Sequence, residues 1–283
     1  MIKIITDSTS DVPEEMLKQY NISVVPLYLN WGNDQYVDRV TITPEQFYER
    51  LAKDPVYPSS SQPSEEDFTR AFNKAREEGA NEIICLDLSS AMSGTYHMAV
   101  SAAAKADIPV HVVDAKGPTM KLGWQVLAAA RAVEAGASAQ EALAEVARVR
   151  ERMAQLVAMQ SLAPLDKGGR IGNAIRWLGN TLQVKPLIYV DKETGKVTPI
   201  SLLRTQNALA ENLFKKFIEH VKDTRDLRVA VLHGAAPEAA VELAERIERE
   251  LKPKELLTMV TGPVLGIHTG LGALCICGYS DAR

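Results

Sequence analysis

The chain has 283 residues, of which 46% are apolar and 24% charged, close to the averages for folded globular proteins and far from the sparse, highly charged composition of disordered chains. At about 150 residues per domain this length predicts two domains, with enough apolar content to build their cores without disulfides or a structural metal. A formal charge of -4, from 32 Lys and Arg against 36 Asp and Glu, gives no general attraction to nucleic acid or to an anionic membrane, and no apolar run approaches the roughly 18 residues of a membrane span. No signal-peptide core follows the N-terminus, so a cytoplasmic location is expected.

The first half alternates short apolar runs with helical patterns, at 2–6, 82–88 and 110–114 for strands, which predicts an α/β unit built on a mostly parallel sheet. Ser64 ahead of Glu65, Glu66 and Asp67 marks a helix start, Phe68, Phe72 and Ala75 recur at helical spacing, and Gly79 ends the segment. Residues 117–136 and 138–153, rich in Ala, Leu, Glu and Arg, predict two helices broken at Ala135-Gly136-Ala137. After about Gln155 the rhythm changes. Strands at 184–190 and 196–202 flank Asp191-Lys192-Glu193-Thr194-Gly195 as a hairpin, and helices at 205–221 and 237–251 alternate with strands at 228–232, 255–260 and 273–278. The division expected is an N-terminal α/β domain over 1–156 and a C-terminal α+β domain over 157–283, with a ligand cleft between them. Cys85 and Cys275 sit in apolar runs and read as buried thiols, while Cys275 and Cys277 share a strand face with no further ligand at zinc spacing.

Four polar clusters fall where an open α/β sheet binds ligands, beyond strand ends or between domains: Thr6 to Asp11, Ser59 to Ser64, Ser89 to Thr95, and a glycine-rich loop from Thr261 to Gly270 that carries His268. Hydroxyls, small residues and helix starts cap helices, and equally hold an anion or carboxyl through O–H and backbone N–H groups. As a set they favour an anion site with His268 facing the cleft. Phosphate-loop, dinucleotide, nucleophile-elbow and zinc-protease motifs are missing from the chain. Ser93, His268 and an acid such as Asp7 form the alternative, a hydrolase or acyl-transfer enzyme acting on acyl esters. A third class is an anion-binding regulatory module. The run from Lys167 to Arg176 joins three positive charges to glycines, either as a solvated helix start or as a docking patch to which Lys185 and Arg204 add.

Taken together, Thr6-Asp7-Ser8-Thr9-Ser10-Asp11, Ser61-Gln62-Pro63-Ser64, Ser93-Gly94-Thr95-Tyr96, Gly168-Gly169-Arg170-Ile171 and the run from Gly262 to Gly270 resemble the DegV family of bacterial fatty-acid-binding proteins, which includes the lipid-carrying subunits of fatty acid kinase. The resemblance spans the whole chain. It implies a non-catalytic, cytoplasmic protein without cofactor that binds one long-chain fatty acid between its domains, tail in an apolar tunnel, and presents it to a separate ATP-binding kinase subunit. No nucleic-acid partner and no stable membrane insertion are implied. By the same resemblance Ser60, commonly Thr in the family, binds the carboxyl, with Ser61 beside it. Ser93 and the Gly94 backbone form a second anchor next to Thr95, and His268, Thr269 and Arg170 stand near the head group. Lys167, Arg176 and Arg204 are the candidate docking residues for the kinase. His97 stands where Gln is common, and Lys121 where many members carry a small residue.

Overall fold

The computed structural model describes residues 1–177 and 184–282, with the side chains of Arg176 and Trp177 outside the description. In chain order the first part holds β1 (Ile2–Asp7), α1 (Glu14–Gln19), β2 (Ser23–Val25), β3 (Tyr28–Trp31), β4 (Asp34–Val37), α2 (Pro44–Leu51), β5 (Ser59–Ser61) and α3 (Glu65–Glu77). There follow β6 (Glu82–Asp87), α4 (Thr95–Ala103), β7 (Val110–Asp114), α5 (Met120–Glu134) and α6 (Ala139–Arg152). The remainder comprises β8 (Ala154–Ala158), α7 (Ala163–Lys167), β9 (Lys185–Val190), β10 (Val197–Leu203), α8 (Gln206–Val221), β11 (Leu227–His233), α9 (Pro237–Leu251), β12 (Glu255–Val260), α10 (Pro263–Thr269) and β13 (Leu274–Ser280).

The three apolar runs of the first half are β1, β6 and β7, and with β2 they make an all-parallel sheet in the order β2-β1-β6-β7. The second half forms a six-stranded sheet, β10-β9-β8-β13-β11-β12, in which the β9–β10 hairpin is antiparallel and β11 pairs parallel with β12. Residue 156 lies inside β8, which pairs with β9 and β13 of this second sheet, so a division by sheet membership falls before Ala154. Helix α5 lies between the sheets against β1, β6 and β13. Its residues from Met120 to Ala130 are all buried, including the polar Lys121 and Gln125, whose side chains donate to backbone carbonyls. On the outer faces, α3 and α4 cover the parallel sheet, and α8 and α9 cover the second one.

Local chemistry accounts for the helix starts. Ser64 with Asp67 and Ser138 with Glu141 form reciprocal capping boxes at the first turns of α3 and α6, each satisfying backbone N–H groups that the helix cannot. Thr43 and Gln46 do the same for α2, where Pro44 takes the first helical position.

Two elements depart from the expectations above. A small antiparallel sheet, β4-β3-β5, occupies the stretch after β2, and it makes Ser59–Ser61 of the second polar cluster a strand paired with β3. The glycine-rich segment is not a loop but the short helix α10, opened by Gly262 and Pro263. Gly266 lets it press on α2: a Cβ there would lie 2.5 Å from a ring carbon of Phe47. The three cysteines are free and buried.

Candidate functional site

Between the two large sheets, beyond the carboxyl ends of β1 and β6, lies a cavity of about 380 Å³, within the roughly 300–1,000 Å³ of small-molecule sites. One wall is the inner face of the six-stranded sheet. The register aligns Leu232, Cys275, Val157 and Ile188 in a row across four strands, and all four line the cavity. Leu88, Met92 and Pro118 from loops of the first half, with Val264 and Leu265 of α10, close the other side. The surface so formed is mostly apolar, and its polar groups gather mainly at one end.

At that end, β5 holds Ser60 opposite Leu29 of β3, and the Ser60 hydroxyl lies 2.9 Å from Nε2 of His268 on α10. The Tyr57 hydroxyl donates to the Ile267 carbonyl at 2.6 Å, fastening the same helix. Gly168 gives the imidazole its room, because a Cβ at 168 would sit 2.2 Å from Nδ1. Burial, and next the nearby Arg170 cation, push the His268 pKa down to about 4, so the ring is neutral at physiological pH. Its Nδ1 is buried without a hydrogen-bond partner. Arg170 reaches from the second half to the first, donating through Nε to the Met92 carbonyl at 3.1 Å and also to the Gly168 carbonyl.

Of the residues singled out in the sequence, Ser60, Ser61, Ser93, Arg170, His268 and Thr269 line the cavity together. Thr95 does not; it is fully buried, and its hydroxyl lies 2.8 Å from that of Ser93. Gly94 packs against the side-chain amide of Gln62. The cavity also takes in Gln62, Thr261, Thr119 and Gln155. Gln62 and Thr261 fall inside clusters that the sequence marks, whereas Gln155 gives a local signal only as a polar residue on the apolar face of β8.

The Ser93, His268 and Asp7 relay is not assembled. The Ser93 hydroxyl bonds Thr95, His268 bonds Ser60, and the Asp7 carboxylate accepts from Thr9 and from the Leu88 backbone. An imidazole with a pKa near 4 is also a weak base for activating a hydroxyl at neutral pH.

The first polar cluster, from Thr6 to Asp11, is buried throughout and positions α10. Asp11 accepts from Gly262 N at 3.0 Å and pairs with Arg39, while Asp38 accepts from Ser8 at 2.6 Å and from Val264 N at 3.4 Å. Burial raises the pKa of all three acids of this region, Asp7 to about 6 and Asp38 to about 7, with Asp11 also raised despite the opposing Arg39 charge.

Lys167, exposed at the end of α7, holds its ammonium 4.6 Å from the Tyr57 ring centroid, beside the head of the cavity. Arg204 is exposed just after β10, and the Arg176 side chain lies outside the described residues. Among the described residues no helix is long and apolar enough to cross a membrane, and no group of three or more His, Cys, Asp or Glu is placed to hold a metal ion.

Residues 1–281 match the family model described as "Uncharacterised protein, DegV family". The chain belongs to the DegV family. A DegV domain-containing protein of Staphylococcus aureus is 34% identical over 271 residues, covering 96% of each chain. A DegV family protein from Thermus thermophilus, solved in a study of its fatty acid binding, superposes with a TM-score of 0.91 at 32% identity, over 99% of each chain. DegV from Bacillus subtilis, described as a fatty acid binding protein, gives 0.90 at 27% identity over 98% of each chain.

Proposed function

We propose that this DegV protein binds one long-chain fatty acid, its carboxyl held at the Ser60 and His268 end of the cavity and its tail along the inner face of the second sheet. It then presents the head group to a separate ATP-binding kinase subunit for acyl-phosphate formation. The observation that carries the reading is the polarity of the cavity: hydroxyls and one guanidinium at one end, and a row of Leu232, Cys275, Val157 and Ile188 beyond. The fatty-acid binding of the Thermus and Bacillus relatives supports it.

Energetics favour such a ligand. A chain of about sixteen carbons at roughly 0.8 kcal/mol per buried methylene offers on the order of 12 kcal/mol of gross transfer free energy, before ordering and association costs. A carboxylate taken out of water needs hydrogen bonds or a charge partner. Ser60 and Ser93 can donate O–H bonds, Arg170 supplies the cation, and neutral His268 fixes Ser60. Such a site holds a carboxyl in place without activating a nucleophile, and an acyl phosphate, another anion, suits the same donors.

The test is native mass spectrometry of the purified protein followed by organic extraction. About one long-chain fatty acid per chain is expected. A protein that is empty and takes up no fatty acid from lipid vesicles overturns the reading. Kinase presentation is tested separately, by ATP-dependent formation of acyl phosphate when the loaded protein is mixed with a fatty acid kinase subunit.

A further inference from the structure

The apolar wall of the cavity contains a polar interruption away from the Ser60 and His268 end. Gln155 lies on β8 two residues before Val157 and so on the same face of the strand. Its cross-strand partner is Cys277, and it lines the cavity while only 2% exposed. The side-chain amide oxygen is buried and has no hydrogen-bond partner. Lys121, the second residue of α5 and fully buried, comes to the same region: its ammonium donates to the Val190 carbonyl at 2.8 Å, and Val190 is itself a wall residue. Gly117 makes room for both side chains, since a Cβ there would fall 2.4 Å from the Lys121 stem and 3.2 Å from the Gln155 amide oxygen.

A tunnel meant only for methylenes gains nothing from this. A dry amide oxygen without a partner is costly, and a Leu in its place would carry no such cost. A hydroxyl on the tail of the ligand reverses the balance, because it can donate to the amide oxygen and accept from the amide nitrogen. We propose that Gln155 is a specificity residue, and that the cavity prefers a long-chain carboxylic acid carrying a hydroxyl on its chain over the unsubstituted acid. This rests on the fatty-acid reading above and narrows it to a substrate class.

The experiment measures affinities of the delipidated protein for stearic acid and for a series of monohydroxylated stearic acids whose hydroxyl moves carbon by carbon along the chain. In an apolar tunnel every hydroxyl is a penalty, of roughly fivefold to a hundredfold, for burying a hydroxyl without a partner. Here one position, well removed from the carboxyl, should bind at least as tightly as stearic acid. Gln155→Leu should weaken that isomer relative to stearic acid by about tenfold or more. Gln155→Met, unbranched and of similar length, should do the same and serves if the leucine variant does not fold. A parent protein in which every isomer binds more weakly than stearic acid overturns the proposal, and so does an unchanged isomer ratio in the variants. Failure to bind stearic acid or any isomer would instead overturn the fatty-acid reading itself.

Discussion

Replacing Ser60 by Ala separates the contribution of the head group from that of the tail. In the structure the Ser60 hydroxyl is 2.9 Å from His268 Nε2, and Nδ1 of the same ring already lacks a partner. The variant therefore leaves a buried neutral imidazole with neither nitrogen bonded, a loss borne by empty and loaded protein alike. It shows in the melting temperature and not in the affinity. Affinity falls only through the missing O–H donor to the carboxyl, which costs about 1–3 kcal/mol in a dry site, or roughly fivefold to more than a hundredfold. The tail still contributes its roughly 0.8 kcal/mol per methylene, so one acid per chain should still bind at high concentration. Calorimetric titration of the delipidated parent and variant with saturated acids of increasing length should give two parallel lines of binding free energy against chain length, offset by that 1–3 kcal/mol. Coincident lines would mean that Ser60 does not touch the carboxyl. Lines of different slope would mean that the tail does not lie where the apolar wall places it.

Gly168→Ala drives a methyl into the space of His268 Nδ1 and should weaken fatty-acid binding by about tenfold through displacement of the ring, with a loss of stability of roughly 1–3 kcal/mol for overpacking; equilibrium binding and denaturant melts check both. Burial raises Asp38 from 3.8 to about 7, so between these values the native state keeps a proton that the unfolded chain releases, and stability falls as pH rises. Asp38→Asn, which cannot ionise, should flatten that decline by up to about 4 kcal/mol in denaturant melts taken between pH 4 and pH 8. Reversing the charge of Arg176 and Arg204 should weaken assembly with the kinase subunit, more at low salt than at high, while the amount of bound lipid found by extraction stays at the parental level.

What could be read along the chain followed the strength of local signals. The strands β1, β6 and β7 are apolar runs bounded by polar residues, and α3 and α6 announce themselves with Ser64 and Ser138 and the acids three positions on. The sheet β4-β3-β5 has strands of three or four residues, too short for alternation to stand out, so Ser59–Ser61 carries no strand signal of its own. Helix α10 was hidden by its own glycines. Gly262 and Gly270 flank it as caps, and the low helix propensity of Gly266 within it is outweighed by tertiary contacts: backbone bonds to Asp11 and Asp38, and the close approach of Phe47 that Gly266 permits.

The site shows the same limit in sharper form. Hydroxyl-rich clusters could be found by composition, but which hydroxyl serves the ligand depends on its partner in space. Ser93 pairs with Thr95 only two residues away and still lines the cavity, whereas Ser60 meets His268, distant in sequence, only because β5 and α10 converge there. The acids Asp11 and Asp38 carry no local mark of their task. Each accepts a backbone N–H from the start of α10, so the element that carries His268 is held by residues of the first half of the chain. Arg170 makes the reverse crossing to the Met92 carbonyl. The ligand end of the cavity is thus braced from both halves of the chain. A change in how the halves meet would shift Ser60 relative to His268, and head-group binding would respond before either sheet lost its own core.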